Sequence, residues 1–162
     1  MGFMGSGKTV VGKALAKTLN HEFVDTDELV EERESRSISE IFARDGEDRF
    51  RKLEREVLET LTGRERLVIA TGGGLFLSPA ARRFIRQTGA SVWLDTPIEI
   101  IWKRSRDQGG RPLFGELPEL KALLEKRRPG YEEADHHVDV RDRPVADVVN
   151  EICGWLKADP SE

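Results

Sequence analysis

Gly2-Phe3-Met4-Gly5-Ser6-Gly7-Lys8-Thr9 fills every fixed position of the spacing G-x-x-x-x-G-K-[ST], starting at the second residue of the chain. The glycines let the backbone turn tightly around an anion, where a Cβ would strike the turn or the bound phosphate. Successive N–H groups then point inward at phosphate oxygens. The helix expected from Lys8 adds the positive end of its dipole. Lys8 is placed to reach the β- and γ-phosphates, and the Thr9 hydroxyl to ligate Mg²⁺. Val11, Leu15 and Leu19 recur at helical spacing and give that helix one apolar stripe. A nucleoside triphosphate is the expected ligand. A loop of this kind normally hangs between a strand and a helix, so the stretch also points to an α/β fold.

Outward from the loop, short apolar runs alternate with helical patterns. Glu22–Asp25 reads as a strand ending in acids, and the charged stretch from Asp27 to Arg36 as a solvated helix. Ser37-Ile38-Ser39-Glu40 has capping-box spacing, with Gly46 placed to close the helix it opens. Phe50, Leu53, Val57 and Leu61 form a second stripe that stops at Gly63. Leu67–Thr71 reads as a buried strand running directly into Gly72-Gly73-Gly74. Helices are expected over Pro79–Arg86, Ile98–Arg106, Leu117–Arg128 and Val145–Leu156, and strands over Ser91–Leu94 and His137–Val140. Such alternation implies a parallel sheet covered by helices on both faces.

Composition narrows the ligands. With 162 residues, 35% of them charged, and a negative mean hydropathy, the chain suits one domain with a sizeable core, or a core plus a small lid. No apolar run approaches a membrane span and no signal peptide is visible, so a cytoplasmic protein is expected. The net charge of −4 argues against nucleic acid as a partner. Arginine nevertheless outnumbers lysine 18 to 8, which favours gripping small planar anions at two points. The single Cys153 falls in an apolar stripe and reads as packing. His21, His136 and His137 lack metal-ligand spacing.

Asp25-Thr26-Asp27 stands at a strand's C-terminal end, the edge where open α/β sheets bind ligands. Strand alternation would aim both carboxylates into the crevice beside the loop, one for Mg²⁺ and one for a substrate hydroxyl. Gly72-Gly73-Gly74 lets a ligand lie against the backbone. Arg51 borders the buried face marked by Phe50. Arg111, between Gly109-Gly110 and Pro112, has the setting of a functional cation on a mobile loop.

Taken together, these motifs resemble the shikimate kinase family. The match rests on the opening loop, Asp25-Thr26-Asp27, Phe50-Arg51, Gly72-Gly73-Gly74, Arg111-Pro112-Leu113 and Arg127-Arg128-Pro129-Gly130-Tyr131. The resemblance implies Mg²⁺-dependent transfer of the γ-phosphoryl group of ATP to the 3-hydroxyl of shikimate, in aromatic amino-acid biosynthesis. It implies a P-loop fold with a five-stranded parallel sheet, a shikimate-binding helical region at about 27–63 and a lid at about 107–120, all in one domain over 1–162. It assigns nucleotide contacts to Gly5, Ser6, Gly7, Lys8, Thr9, Val10, Arg104, Arg111 and Arg143, with Arg141 an alternative to Arg143. The metal falls to Thr9 and Asp25. Shikimate falls to Asp27, Arg51, Gly72, Gly73, Gly74 and Arg127, the two arginines pairing with its carboxylate. Asp27 is the base or orienting group, assisted by Lys8 and Arg111. Arg127 is chosen over Arg128 because it stands two residues before Pro129. A monomer that binds neither nucleic acid nor membrane is expected.

Two other readings compete. A different small-molecule or nucleoside-monophosphate kinase would keep the loop and lid but not need Arg51, Gly73 and Arg127 together. A non-catalytic nucleotide-binding module should have lost an acid or an arginine. A GTPase is poorer, because neither Asn20 nor Asn150 is followed by the lysine of N-K-x-D. Finally, only Met1 precedes Gly2, so the strand expected to lead into the loop is absent from the chain as given. The expectation is a natural start several residues upstream, with Met1 internal or a misassigned start.

Overall fold

The computed structural model describes residues 1–107 and 116–158. Helix α1 (Lys8–Leu19) starts from Gly7 at φ 92° and closes at Asn20 in the left-handed region, whose N–H returns to Ala16 and Lys17 carbonyls. It leads into β1 (Glu22–Asp25) and α2 (Thr26–Glu34). The expected capping box at Ser37 and Glu40 is formed and opens α3 (Ile38–Thr60). Gly46, at φ 79° and ψ 175°, breaks the helical run where the sequence placed its stop, and the helical segment beyond it carries Phe50, Leu53 and Val57. Those residues pack with Val30 of α2 and Ile41, giving the helical pair its own apolar cluster. Ion pairs Arg36–Asp45, Arg49–Glu34 and Arg33–Glu56 lace its surface, each worth little by itself.

The chain continues through β2 (Leu67–Ala70), a 3₁₀ turn (Leu75–Leu77), α4 (Pro79–Thr88), β3 (Val92–Asp95), α5 (Ile98–Asp107), α6 (Leu117–Tyr131), β4 (His136–Asp139) and α7 (Val145–Ala158). Helix α6 runs past Pro129, beyond the expected end at Arg128, and Tyr131 at its end is fully buried. The strands form two parallel pairs, β1 with β2 and β3 with β4. Alternation along β3 sends Leu94 into a cluster with Leu15, Val138, Val148 and Ile152, and Trp93 into another with Phe3, Ile101, Leu120 and Tyr131. Helices α1 and α7 therefore cover one face of this pair, and α5 and α6 the other.

Between the pairs Met1 stands alone. Its ammonium donates to Val92 O at 2.7 Å, and its carbonyl accepts from Leu94 N–H at 2.9 Å, so it pairs with β3 as a one-residue strand. Beyond it a cleft of about 810 Å³ opens, lined by Met1, Leu67, Ile69, Thr71 and Val92 among others. The expectation of a buried β2 is corrected here. Leu67, Val68 and Ile69 are only half-buried, since among the described residues no strand lies beside the edge facing the cleft.

Candidate active site

The opening loop takes the conformation its glycines allow. Gly5 and Gly7 have φ of 73° and 92°, and a Cβ at Gly7 would meet nothing within 4 Å, so the demand there is for the left-handed backbone. Ser6 N–H donates to Phe3 O, and Thr96 Oγ1 donates to Ser6 O at 3.2 Å, which ties the loop to the end of β3. Gly7 at the N-cap has no side chain to bond the first N–H groups of α1, which leaves them open to an anion. Val10, in that first turn, is 61% exposed. Lys8 Nζ folds back onto Phe3 O at 3.0 Å. Burial pushes its pKa down, aided by Arg127 and opposed by Asp27 and Asp25.

Asp25 joins this loop to the next. Its Oδ2 accepts from Thr9 Oγ1 at 3.0 Å, while its Oδ1 accepts from Asp27 N–H at 3.1 Å and so caps α2. The two aspartates do not alternate along a strand as expected: Asp25 ends β1, and Asp27 lies in the first turn of α2. Thr9 and Asp25 nonetheless place a hydroxyl and a carboxylate oxygen side by side. That pair fits Mg²⁺, which binds few protein oxygens and keeps water and phosphate oxygen for the remainder. Among the described residues no group of three or more His, Cys, Asp or Glu could hold a metal.

The glycine stretch after β2 lies against the opening loop. A Cβ on Gly73 would sit 3.3 Å from Gly2 O, 3.4 Å from Met4 N and 3.6 Å from Arg127 Nη1. Gly72 N–H donates to the buried Thr26 Oγ1 at 3.2 Å, and a Cβ there would lie 2.7 Å from Asp27 Oδ1 and overlap Glu54 Oε1. At Gly74 a Cβ would overlap the Arg51 guanidinium. Asp27, Arg51 and Arg127 thus converge on three consecutive residues.

Charge in this pocket is held away from water. Arg51 pairs with Glu54 at 2.7 Å and Glu47 at 2.9 Å, and lies over the Phe50 ring. Glu54 is fully buried, which drives its pKa up over the opposing pull of Arg51. Burial, with Asp25 adding, also raises the pKa of Asp27, against Lys8. Asp27 Oδ1 and Glu54 Oε1 have no hydrogen-bond partner among the described residues. Arg127 lies over the Phe3 ring, whereas its neighbour Arg128 pairs with Asp95 and Glu125. The geometry offers a phosphate cradle abutting a pocket with two arginines and an acceptor carboxylate. A hydroxylated carboxylic acid suits such a pocket.

The outer nucleotide residues are more dispersed. Arg104 is exposed on α5. Arg143 pairs with Glu151 and donates to Asp139 and Asp147 carbonyls, which ties it to α7. Arg141 instead lines a cleft of about 380 Å³ with Asp95, Pro97 and Arg128, beyond the ends of β3 and β4. Arg111 and most of the expected lid lie outside the described residues. Glu54 and Thr26 were not singled out from sequence. Glu54 stands three residues after Arg51 on one helix, and that spacing was the available signal.

The shikimate kinase family model matches residues 4–157 of this chain. The shikimate kinase of Persephonella marina is 40% identical over 158 residues, spanning 97% of this chain and 96% of that protein. The solved shikimate kinase of Aquifex aeolicus superimposes with a TM-score of 0.86 at 44% identity, over 98% of this chain and 94% of the other. That of Acinetobacter baumannii, solved in complex with shikimate, gives 0.90 at 36% identity, over 99% and 92%. With near-full coverage at these identities, and with the phosphate cradle built as the opening motif demands, the chain belongs to the shikimate kinase family.

Proposed function

We propose that Asp27, Arg51, Arg127 and Gly72–Gly74 form the shikimate pocket of this kinase, and that Gly5–Val10 hold the phosphates of ATP. The reaction is transfer of the γ-phosphoryl group of ATP to the 3-hydroxyl of shikimate, an Mg²⁺-dependent step of aromatic amino-acid biosynthesis. The observation that carries the assignment of residues is the contact of the two loops: Gly73 lies against Gly2 and Met4 and also beside Arg127. Acceptor and donor are thereby held next to each other, and positioning supplies most of what phosphoryl transfer needs.

Each residue has a physical task. Arg51 and Arg127 neutralise and orient the carboxylate, and the glycine backbone lets the ring approach. Asp27 accepts the hydrogen bond of the attacking hydroxyl and takes its proton; a carboxylate with a raised pKa is the better base. Lys8 neutralises phosphate charge. Thr9 and Asp25 would hold Mg²⁺, which when bound neutralises charge developing on the phosphate oxygens. Arg104 and either Arg143 or Arg141 flank the nucleotide. Arg111 closes with the lid at about 107–120, and the helical region at about 27–63 carries the acid site. Closure excludes the water that would otherwise hydrolyse ATP.

A cytoplasmic monomer with only small-molecule partners, binding neither nucleic acid nor membrane, completes the reading. No described helix is long and apolar enough to cross a membrane. A coupled assay of ADP formation with ATP, Mg²⁺ and shikimate, run beside gluconate and nucleoside monophosphates, tests it. ADP release should require both shikimate and Mg²⁺. Equal release without shikimate, or faster release with another acceptor, overturns the substrate assignment.

A further inference from the structure

Tyr131 belongs to no phosphate or acid contact proposed above, yet it is 0% exposed at the end of α6. A phenol so deeply buried needs a partner for its hydroxyl, and Tyr131 Oη–H donates to the carbonyl of Gly73. Its ring packs on Trp93, with centroids 5.8 Å apart. Arg127, one turn earlier on α6, lies beside the same phenol and holds its pKa down against the dominant effect of burial, which raises it.

The Gly73 carbonyl and the Gly74 N–H belong to one planar trans peptide, so fixing the first turns the second the opposite way. Without Cβ atoms this peptide could rotate through conformations closed to other residues. Among the described residues, neither the Gly73 nor the Gly74 N–H is bonded to another backbone carbonyl. The peptide stands between the two arginines, with Arg127 beside Gly73 and Arg51 beside Gly74.

We infer that Tyr131 is a positioning residue for the acid substrate: its hydroxyl holds the Gly73–Gly74 peptide in one orientation and couples it to Arg127. The inference rests on the pocket assigned above. Loop and arginine then form one preorganised unit, and the cost of ordering the glycines is met on folding rather than on binding.

Tyr131→Phe keeps the ring on Trp93 and deletes only the hydroxyl. The expected result is a rise in shikimate KM of about 2- to 10-fold, the worth of one ordinary hydrogen bond, with ATP KM unchanged. In the substrate-free protein the Gly73 and Gly74 amide resonances should shift and exchange faster with solvent. That second readout needs no substrate, so it separates this inference from the choice of shikimate. Combining Tyr131→Phe with Arg127→Ala should cost less than the sum of the two single changes, as expected of coupled residues. Unmoved glycine amides overturn the positioning role even if shikimate is turned over. So does an equal rise in both KM values with a lowered Tm, which is the signature of general loosening.

Discussion

Adding one methyl group at Gly74 should disable the acid pocket without replacing a charged residue. Gly74 has φ −110° and ψ −16°, a conformation any residue accepts, so alanine brings no backbone strain. Its Cβ would fall well inside 3.0 Å of Arg51 Cζ, Nη1 and Nη2. Since non-bonded heavy atoms settle at about 3.5–4.0 Å, the guanidinium must retreat by on the order of 1 Å. It sits on a flexible stem and can do so, but its 2.7 Å bond to Glu54 then lengthens beyond hydrogen-bonding range. Glu54 has no water to turn to. The displaced guanidinium also leaves the substrate carboxylate, and losing that charge-assisted hydrogen bond costs about 1.5–3 kcal/mol, so shikimate KM should rise by about 10- to 150-fold. A stability loss near 2 kcal/mol lowers Tm by about 4–8 °C in a chain of this length. Steady-state titration of shikimate at saturating ATP, with ATP KM measured in parallel, reads the effect. Gly154→Ala, whose Cβ meets nothing within 4 Å on α7, is the control and should be neutral or slightly stabilising. A folded Gly74→Ala protein with shikimate KM within twofold of the parent refutes the placement of Arg51 in the acid site.

Asp27→Asn should lower kcat by about 10²- to 10⁴-fold while ATP affinity holds, and near-normal kcat removes Asp27 from proton transfer. Arg127→Ala should raise shikimate Kd by about 10- to 150-fold. An unchanged value with weaker ATP binding reverses that arginine's role. Burial, reinforced by Lys8, pushes the Met1 amine down to about 5 from 8.0. Between pH 5 and 8 the unfolded chain therefore holds a proton that the folded chain has shed, and this group makes stability rise with pH across that window. The gain is at most about 4 kcal/mol, less where water reaches the amine. Denaturant midpoints of the free and N-acetylated chains should diverge towards pH 5; parallel profiles rule this out. Joining an apolar extended segment to Met1 removes the buried amine and gives β2 and β3 a ladder partner, so Tm should rise. An unchanged Tm means that the cleft costs the fold nothing.

The opening loop, the capping box at Ser37 and the stripe from Phe50 were legible because each depends on bonds or periodicity within a few residues. So was the break at Gly46, since a positive φ is a local property of glycine; that the segments on both sides of it pack into one cluster with Val30 was not. The preference for Arg127 over Arg128 came from motif spacing. The directions of the two side chains, one beside Gly73 and the other paired with Asp95, depend on how α6 lies across the sheet.

Sequence by itself determined the chemistry: a phosphate loop, acids at a strand end, a permissive glycine stretch and arginines for a small anion. Local rules suffice for these, since conformation and charge type are properties of the residues. The tertiary structure alone decided the partnerships. Glu54 stands three residues from Arg51 on one helix, but only the packing of distant segments brings its carboxylate against the Gly72 backbone.

 Separations of this kind are invisible to local pattern. Tyr131 and Gly73 lie 58 residues apart, and Asp27 meets Gly72 only because Thr26 accepts the Gly72 N–H across 46 residues. The burial that raises the pKa values of Asp27 and Glu54 has the same origin, since a carboxylate loses its water only when distant segments close over it.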